Sequence, residues 1–133
     1  MQMQFMRSKQ RMYLMNDQGQ VVKDWECRDD FFPGYNENGE PHASLPNGTY
    51  PHCWAEITNG KYGAAYGTFY ITTGDSRARD IHGGGSGLPD PFAPYQGWLG
   101  TYGCLRMQNA DGEELSQIII DNGNDMLLEV VDK

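Results

Sequence analysis

The sequence predicts a mainly β domain, a sandwich or a barrel, with one helix near its C-terminal end. Short segments rich in valine, isoleucine, threonine and aromatic residues alternate with turns of glycine, proline, asparagine and aspartate. One segment, 108–122, has the apolar spacing of an amphipathic helix. The chain has 133 residues, of which 38% are apolar. This length and composition suit one domain with a modest core, and we expect a single domain over 1–133.

The first half of the chain predicts four strands and one long loop. Residues 10–15 and 21–29 alternate apolar and polar side chains on either side of a turn at 17–20, which favours a β-hairpin. Residues 30–49 are rich in proline, glycine and asparagine and predict a long loop. Residues 50–57 and 67–73 carry the aromatic and β-branched side chains typical of strands.

The second half predicts a short strand over 79–82, the helix and a closing strand. Asn109 or Asp111 can cap the helix at its N-terminus, and Asn122-Gly123 can end it. Leu115 lies on the apolar stripe of this helix. Residues 126–131 are apolar on both faces, so we expect a central strand there.

Charge and composition exclude several classes of partner. The net charge is −8, with 10 Lys and Arg against 18 Asp and Glu, so no basic stripe for a nucleic acid is available. No apolar run is long enough to span a membrane, and the first residues have no apolar core of a signal peptide. The three cysteines leave at least one thiol free in a monomer, the state that we expect. Spacing does not decide whether Cys27 and Cys53 pair.

The residues best suited to chemistry flank the loop 83–100. His82 and Cys104 stand at its two ends, and a thiol nucleophile needs a base beside it. Glycines within and after the loop would let a substrate backbone approach and would free N–H groups to face an anion. The plain alternatives are a buried structural cysteine and a surface histidine. The flanking glycines favour a nucleophile and a general base.

Four motifs in this order resemble the catalytic domain of the L,D-transpeptidase family, the YkuD type. Leu45-Pro46-Asn47-Gly48-Thr49-Tyr50 is similar to the family's Pro-x-Gly-Thr-aromatic segment, and Ile81-His82-Gly83 to its Ile-His-Gly. Thr101-Tyr102-Gly103-Cys104-Leu105-Arg106-Met107 resembles its Ser-His-Gly-Cys-Ile-Arg-Met. A helix, a glycine turn and a last strand follow, as in the family. The resemblance covers about 45–131.

The resemblance implies a fold and a set of site residues. The fold would be the family's β sandwich or barrel with a helix after the nucleophile. Cys104 would be the nucleophile and His82 its base, oriented by the backbone carbonyl of Gly83. The segment that would hold the oxyanion and the substrate consists of Thr101, Tyr102, Gly103 and, as a carboxylate-binding or structural arginine, Arg106. No metal and no organic cofactor are implied.

Departures from the family pattern lie beside the nucleophile and in the preceding loop. Tyr102 stands where the family has histidine, and Thr101 replaces a serine. The loop 83–100 is longer and more aromatic than is typical. Its aromatic residues, with Tyr102, either wall the pocket or fix the loop to the domain; they are Phe92, Tyr95 and Trp98.

Other polar residues have simpler interpretations. His42, His52 and Cys53 have no zinc-ligand spacing and are interpreted as non-ligands. Arg77 and Arg79 either bind a substrate carboxylate or are solvated. Asp80 is a candidate partner for the imidazole of His82.

The resemblance implies three functions to separate. The first is a peptidoglycan L,D-transpeptidase, in which Cys104 attacks the bond between a stem diamino acid and D-alanine and passes the acyl group to an amine. The second is an L,D-carboxypeptidase with water as acceptor, acting as a cell-wall hydrolase or toxin. The third is a non-catalytic module that binds peptidoglycan. All three would act at the cell wall, in the periplasm or outside the cell, on stem peptides.

Overall fold

A computed structural model describes residues 1–132 as a curled sheet of eight strands with one α-helix packed against it. The strands are β1 (Gln2–Met6), β2 (Arg11–Met15), β3 (Val21–Glu26), β4 (Gly48–Ile57), β5 (Phe69–Thr72), β6 (Ile81–His82), β7 (Leu105–Arg106) and β8 (Met126–Val131). The helix α1 is Asn109–Asp121, between β7 and β8. The prediction of a mainly β fold with a helix after Cys104 is confirmed.

The strands follow the order β3-β2-β1-β8-β4-β5-β6-β7 across the sheet. The predicted hairpin is the antiparallel pair β2–β3, and β8 is central, between β1 and β4, as expected. Strand β4 changes partner along its length: its first half pairs with β8 and its second half, from Trp54, pairs with β5. The register shifts between Tyr50 and Cys53, where Pro51 has no N–H to donate, and this irregularity lets the sheet curl.

Two strands, β7 and β1, were missing from the sequence prediction, and β1 is the longer. It pairs antiparallel with β2 and parallel with β8, and it buries Met3 and Phe5 completely. Its alternation of glutamine with methionine and phenylalanine has the period of a strand, but glutamine and methionine are not strand-favouring residues. Burial of its apolar face against β8 therefore determines this strand, rather than local propensity.

The helix begins one residue later than predicted and lacks the expected cap. Gln108 occupies the N-cap position without a capping side-chain hydrogen bond, and Asn109 lies inside the first turn with its side chain buried. Leu115 and Ile119 bury the apolar face of the helix against the sheet. The chain leaves the helix at Asn122 and Gly123, as predicted.

The described cysteines, Cys27, Cys53 and Cys104, are all free thiols, so Cys27 and Cys53 do not form a disulfide in this structure.

No helix within residues 1–132 is both long and apolar enough to cross a membrane.

Gly112 allows the helix to approach the sheet closely. A Cβ at this position would overlap the ring of Phe69 on β5, which is fully buried. Helix propensity alone favours alanine over glycine by about 1 kcal/mol. Overpacking of a core costs about 1–3 kcal/mol, and here the obstacle is a rigid ring.

We therefore expect Gly112→Ala to lower the free energy of unfolding, by about 1–2 kcal/mol, despite its better helix propensity. Urea denaturation followed by circular dichroism measures the change. Gly87→Ala is the matched control, because a Cβ there makes only an ordinary contact at 3.5 Å with Leu99. A Gly112→Ala protein more stable than the original would show that α1 does not pack this tightly on Phe69.

Candidate active site

The parallel pairing of β6 with β7 brings the two ends of the long loop together. Ile81 pairs with Leu105, and the N–H of Leu105 donates to the carbonyl of Asp80 at 2.9 Å. His82 lies at the end of β6 and Cys104 directly before β7, so both side chains reach one cavity of about 420 Å³. His82 and Cys104 are 22 positions apart in sequence, and the fold brings them to one cavity that is large enough for a substrate.

The imidazole of His82 has a defined tautomer. Its Nδ1 lies 2.9 Å from the carbonyl oxygen of Gly83. A carbonyl can only accept a hydrogen bond, so Nδ1 carries the proton and Nε2 presents its lone pair. His82 is 3% exposed, and the edge of the Tyr66 ring and the face of the Tyr70 ring enclose it, with ring centroids 5.0 and 6.0 Å away. A neutral imidazole with a free Nε2 is the form that can accept a proton.

Burial is the main influence on both ionisable groups. Desolvation lowers the pKa of His82 to about 4, and the nearby Arg106 acts in the same direction. Desolvation raises the pKa of the Cys104 thiol to about 11, although a hydrogen bond from the N–H of Asp80 to Sγ, at 3.3 Å, opposes this rise. At neutral pH the site therefore holds a neutral thiol and a neutral imidazole, not an ion pair.

The backbone N–H of Asp80 donates to the sulfur of Cys104, and its side chain bonds to Tyr70 and Thr73. Its carboxylate accepts hydrogen bonds from the Tyr70 hydroxyl at 2.6 Å and from the N–H and hydroxyl of Thr73 at 2.8 and 3.1 Å. Within residues 1–132, the Asp80 carboxylate makes no hydrogen bond with the His82 imidazole, so the candidate pairing of the two is not formed. Tyr70 thus contacts His82 with its ring and Asp80 with its hydroxyl.

The turn 101–104 fixes which backbone N–H groups can face a substrate. The Thr101 hydroxyl donates to the carbonyl of Cys104 at 2.7 Å and accepts from the N–H of Gly103 at 3.0 Å. The N–H of Gly103 is therefore occupied. Within residues 1–132 the N–H groups of Tyr102 and Cys104 have no hydrogen-bond partner, so they are the two available donors in this turn.

Arg106 is a structural arginine in this geometry. Its guanidinium donates to the backbone carbonyls of Gly83, Leu99, Gly100 and Ala65, and the residue is 4% exposed. These bonds use four of the five N–H groups of the guanidinium, which favours the structural role over binding of a substrate carboxylate. Arg79 is likewise engaged, in a two-point ion pair with Asp75, and Arg77 donates to the carbonyl of Pro41.

The aromatic loop 83–100 is fixed mainly by polar side chains next to the helix. Gln96 donates to the carbonyl of Met107 and accepts from the N–H of Asn109, while Gln108 exchanges two hydrogen bonds with Gly97. The Asn109 amide donates to the carbonyls of Pro91 and Ala93. The sequence pattern singled out only Asn109 among these residues, and it did so as a helix cap.

Of the four aromatic residues proposed to wall the pocket, Tyr102 borders the cavity and the others do not. Tyr102 is 70% exposed at the mouth, where its ring lies 4.8 Å from that of His42. The Arg28 guanidinium covers the ring of Trp98 at 4.3 Å. Phe92 packs over Gly60, and Tyr95 is largely exposed. The cavity wall instead includes Phe32, from the long loop 30–49, and the rings of Tyr66 and Tyr70.

Gly83 and Gly85 do not free their N–H groups for an anion as expected. The N–H of Gly83 donates to the carbonyl of Tyr66 at 3.1 Å, and that of Gly85 donates to Ala64 at 2.8 Å. These glycines instead allow close packing: a Cβ at Gly83 would overlap the side-chain oxygen of Asn109.

His42 and His52 lie apart from the thiol. His42 is within 3.0 Å of the Phe32 carbonyl, and His52 pairs with Asp125 at 2.9 Å. Across residues 1–132, no three histidine, cysteine or acidic side chains lie together in a way that could hold a metal ion.

The neutral thiol predicts how Cys104 reacts with an alkylating agent. A pKa raised from about 9 to about 11 lowers the thiolate fraction at pH 7 roughly a hundredfold. We expect alkylation of Cys104 by iodoacetamide to keep rising beyond pH 9. Mass spectrometry of labelled peptides, with Cys104→Ser as the control for the buried Cys27 and Cys53, measures the profile. A plateau reached below pH 7 would reveal a preformed thiolate–imidazolium pair.

The hydrogen bond from Tyr70 to Asp80 gives a second prediction. Tyr70→Phe keeps the ring on His82 but removes the hydroxyl that offsets the negative charge of Asp80, a charge that raises the Cys104 pKa. We expect a further rise of the thiol pKa and alkylation at pH 8 slower by about three- to tenfold. Tyr62→Phe, which removes a hydroxyl bonded to Glu56 instead, should leave the profile unchanged. Identical profiles for Tyr70→Phe and the original protein would remove Tyr70 from this role.

Sequence comparison finds no match: no protein-family model matches the chain, and no curated protein matches it. Comparison with solved structures does find similar proteins. An L,D-transpeptidase (Yku) from Stackebrandtia nassauensis is similar with a TM-score of 0.63 and 14% identity, over 99% of this chain and 55% of that one. The avibactam carbamoyl enzyme of Ldtfm is similar with a TM-score of 0.62 and 13% identity, over 99% of this chain and 49% of that one.

An L,D-transpeptidase from Xylanimonas cellulosilytica gives a TM-score of 0.55 and 15% identity, over 97% of this chain and 59% of that one. The chain therefore spans about half of the length of the structures that it matches. The expected fold is confirmed: this chain has the fold of the L,D-transpeptidases.

Proposed function

We propose that this chain is a cysteine L,D-transpeptidase that acts on peptidoglycan stem peptides at the cell wall. The observation that carries the proposal is the free Nε2 of His82 in the same cavity as the Cys104 thiol. The fold shared with L,D-transpeptidases supports it. The resemblance of the motifs around both residues supports the choice of substrate.

In the first half of the reaction, the stem peptide acylates Cys104. Its S–H gives the proton to Nε2 of His82 as sulfur attacks the carbonyl carbon of the stem diamino acid. Because both groups are neutral at rest, proton transfer accompanies the attack instead of preceding it. The N–H groups of Tyr102 and Cys104 stabilise the oxyanion of the tetrahedral intermediate. The carbon–nitrogen bond to D-alanine then breaks, and the imidazolium returns the proton to the leaving amine.

In the second half, an amine of a neighbouring stem attacks the thioester. His82 takes the proton of the attacking amine, the carbon–sulfur bond breaks, and the imidazolium gives that proton to the leaving sulfur, which restores the thiol. The Gly83 carbonyl orients the imidazole in both halves and stabilises the imidazolium that forms transiently. The described residues supply every proton transfer in this scheme, so it uses neither a metal nor an organic cofactor.

A defined stem tetrapeptide, with its products weighed by mass spectrometry, tests the proposal. We expect release of D-alanine and a cross-linked or amine-exchanged product. Cys104→Ala should abolish release, and His82→Ala should slow it by about a hundredfold or more. Cys53→Ala is the matched control, because that thiol is buried in the core and bonded to the Tyr50 carbonyl.

The other outcomes identify the rival functions. Tripeptide without any transfer product would make water the acceptor and the enzyme an L,D-carboxypeptidase. Binding of the stem without turnover would leave a non-catalytic module. Release of D-alanine by Cys104→Ala would remove the thiol from the mechanism.

A further inference from the structure

A second cavity, of about 380 Å³, adjoins the catalytic one. Its lining is aromatic apart from one carboxylate and one hydroxyl, and consists of Trp54, Glu56, Tyr62, Tyr66, Tyr70 and Thr72. Tyr66 and Tyr70 also line the cavity that holds His82 and Cys104. The two cavities are therefore neighbours across the same pair of rings. We call this second cavity the aromatic groove.

Strand register places the aromatic groove on the face of the sheet that carries the base. Glu56 on β4 pairs with Tyr70 on β5, and Tyr70 pairs with His82 on β6. Glu56, Tyr70 and His82 thus form one row across three strands. At the usual spacing of neighbouring strands, the backbone at Glu56 lies about 10 Å from that at His82. A long side chain of a substrate bound at Cys104 can cover this span.

The chemistry of the aromatic groove suits a cation. Aromatic faces attract an ammonium group, and a carboxylate beside them adds charge. Trp54 and Tyr62 are each 48% exposed and line the same cavity, so they form a grouped aromatic patch of the kind that marks ligand-binding grooves. An ammonium of the chain itself lies here: Lys61 pairs with Glu56, and its Nζ lies 5.1 Å from the centre of the Tyr62 ring.

The Lys61 ammonium is replaceable. The Lys61 side chain is 56% exposed, and exposed ion pairs of this kind contribute little to stability. The Tyr62 hydroxyl holds the Glu56 carboxylate at 2.8 Å independently of the lysine. A ligand ammonium that displaces Lys61 would form the same kind of ion pair with Glu56 and would add contacts with the rings of Trp54, Tyr66 and Tyr70.

We propose that the aromatic groove binds the side-chain ammonium of the diamino acid whose carbonyl Cys104 attacks. This inference rests on the proposed function, since it assigns part of the same substrate. It makes the enzyme selective for donor stems whose second amine is free. A stem whose second amine is already acylated has no cation to place against Glu56.

Binding to the Cys104→Ala protein tests the assignment without turnover. The probes are L-alanyl-γ-D-glutamyl-L-lysyl-D-alanine and the same peptide acetylated on the lysine side chain, with affinity measured by calorimetry. We expect the free amine to bind tenfold or more tightly than the acetylated form. Adding Glu56→Gln or Trp54→Ala should remove this preference. Adding Lys61→Met should strengthen binding of the free amine, whereas Lys9→Met, which removes another exposed charge elsewhere, should not.

Equal affinities for the two peptides, or no binding of either, would overturn the assignment. The proposed function is judged separately, by release of D-alanine from the original protein. Release with equal affinities refutes only the role of the aromatic groove. A clear preference for the free amine without any release refutes only the catalytic proposal.

Discussion

The guanidinium of Arg106 holds together three loop segments that meet around His82 and Cys104. It donates to backbone carbonyls at Ala65, at Gly83 and at 99–100, and no carboxylate within residues 1–132 pairs with it. Burying a charge is costly, and only a full set of hydrogen bonds offsets that cost. The three segments must therefore be in place together, because each missing carbonyl would leave part of the fork unsatisfied. Lysine cannot reproduce this arrangement, since its ammonium is a point charge without a planar fork.

The same guanidinium also acts on the base. The Gly83 carbonyl accepts from Nδ1 of His82 and from Nε of Arg106, so the group that orients the imidazole is itself fixed by the arginine. The positive charge of Arg106 lowers the pKa of His82 further than burial alone does, and it partly opposes the rise in the pKa of Cys104. Arg106 thus favours the neutral imidazole while favouring the thiolate. Burial remains the largest influence on both groups, so the net effect favours the neutral thiol and the neutral imidazole.

The sequence predicted His82 and Cys104 as a candidate pair, and the structure brings both to one cavity, but the sequence predicted less of their surroundings. His82 and Cys104 stood out because their residue types and glycine neighbours are local features. Tyr70, by contrast, matters only because β5 pairs with β6 in one register, and a shift by one residue would turn it to the opposite face. The Gly103 N–H was expected to face the substrate, but the Thr101 hydroxyl takes it, a contact set by turn geometry. Strand β1 was missed since burial against β8, and not propensity, forms it.

Close packing of glycines explains how the loop over the base keeps its place. A Cβ at Gly67 or at Gly83 would overlap the side-chain oxygen of Asn109, which accepts from the N–H of Thr68 at 3.2 Å. The same amide holds the aromatic loop through its nitrogen. One buried residue at the start of the helix therefore fixes both the segment that carries Tyr66 over His82 and the loop on the other side. Because the helix lies directly after β7, one short stretch of chain sets the positions of the helix, of the Tyr66 ring beside His82 and of the Cys104 thiol.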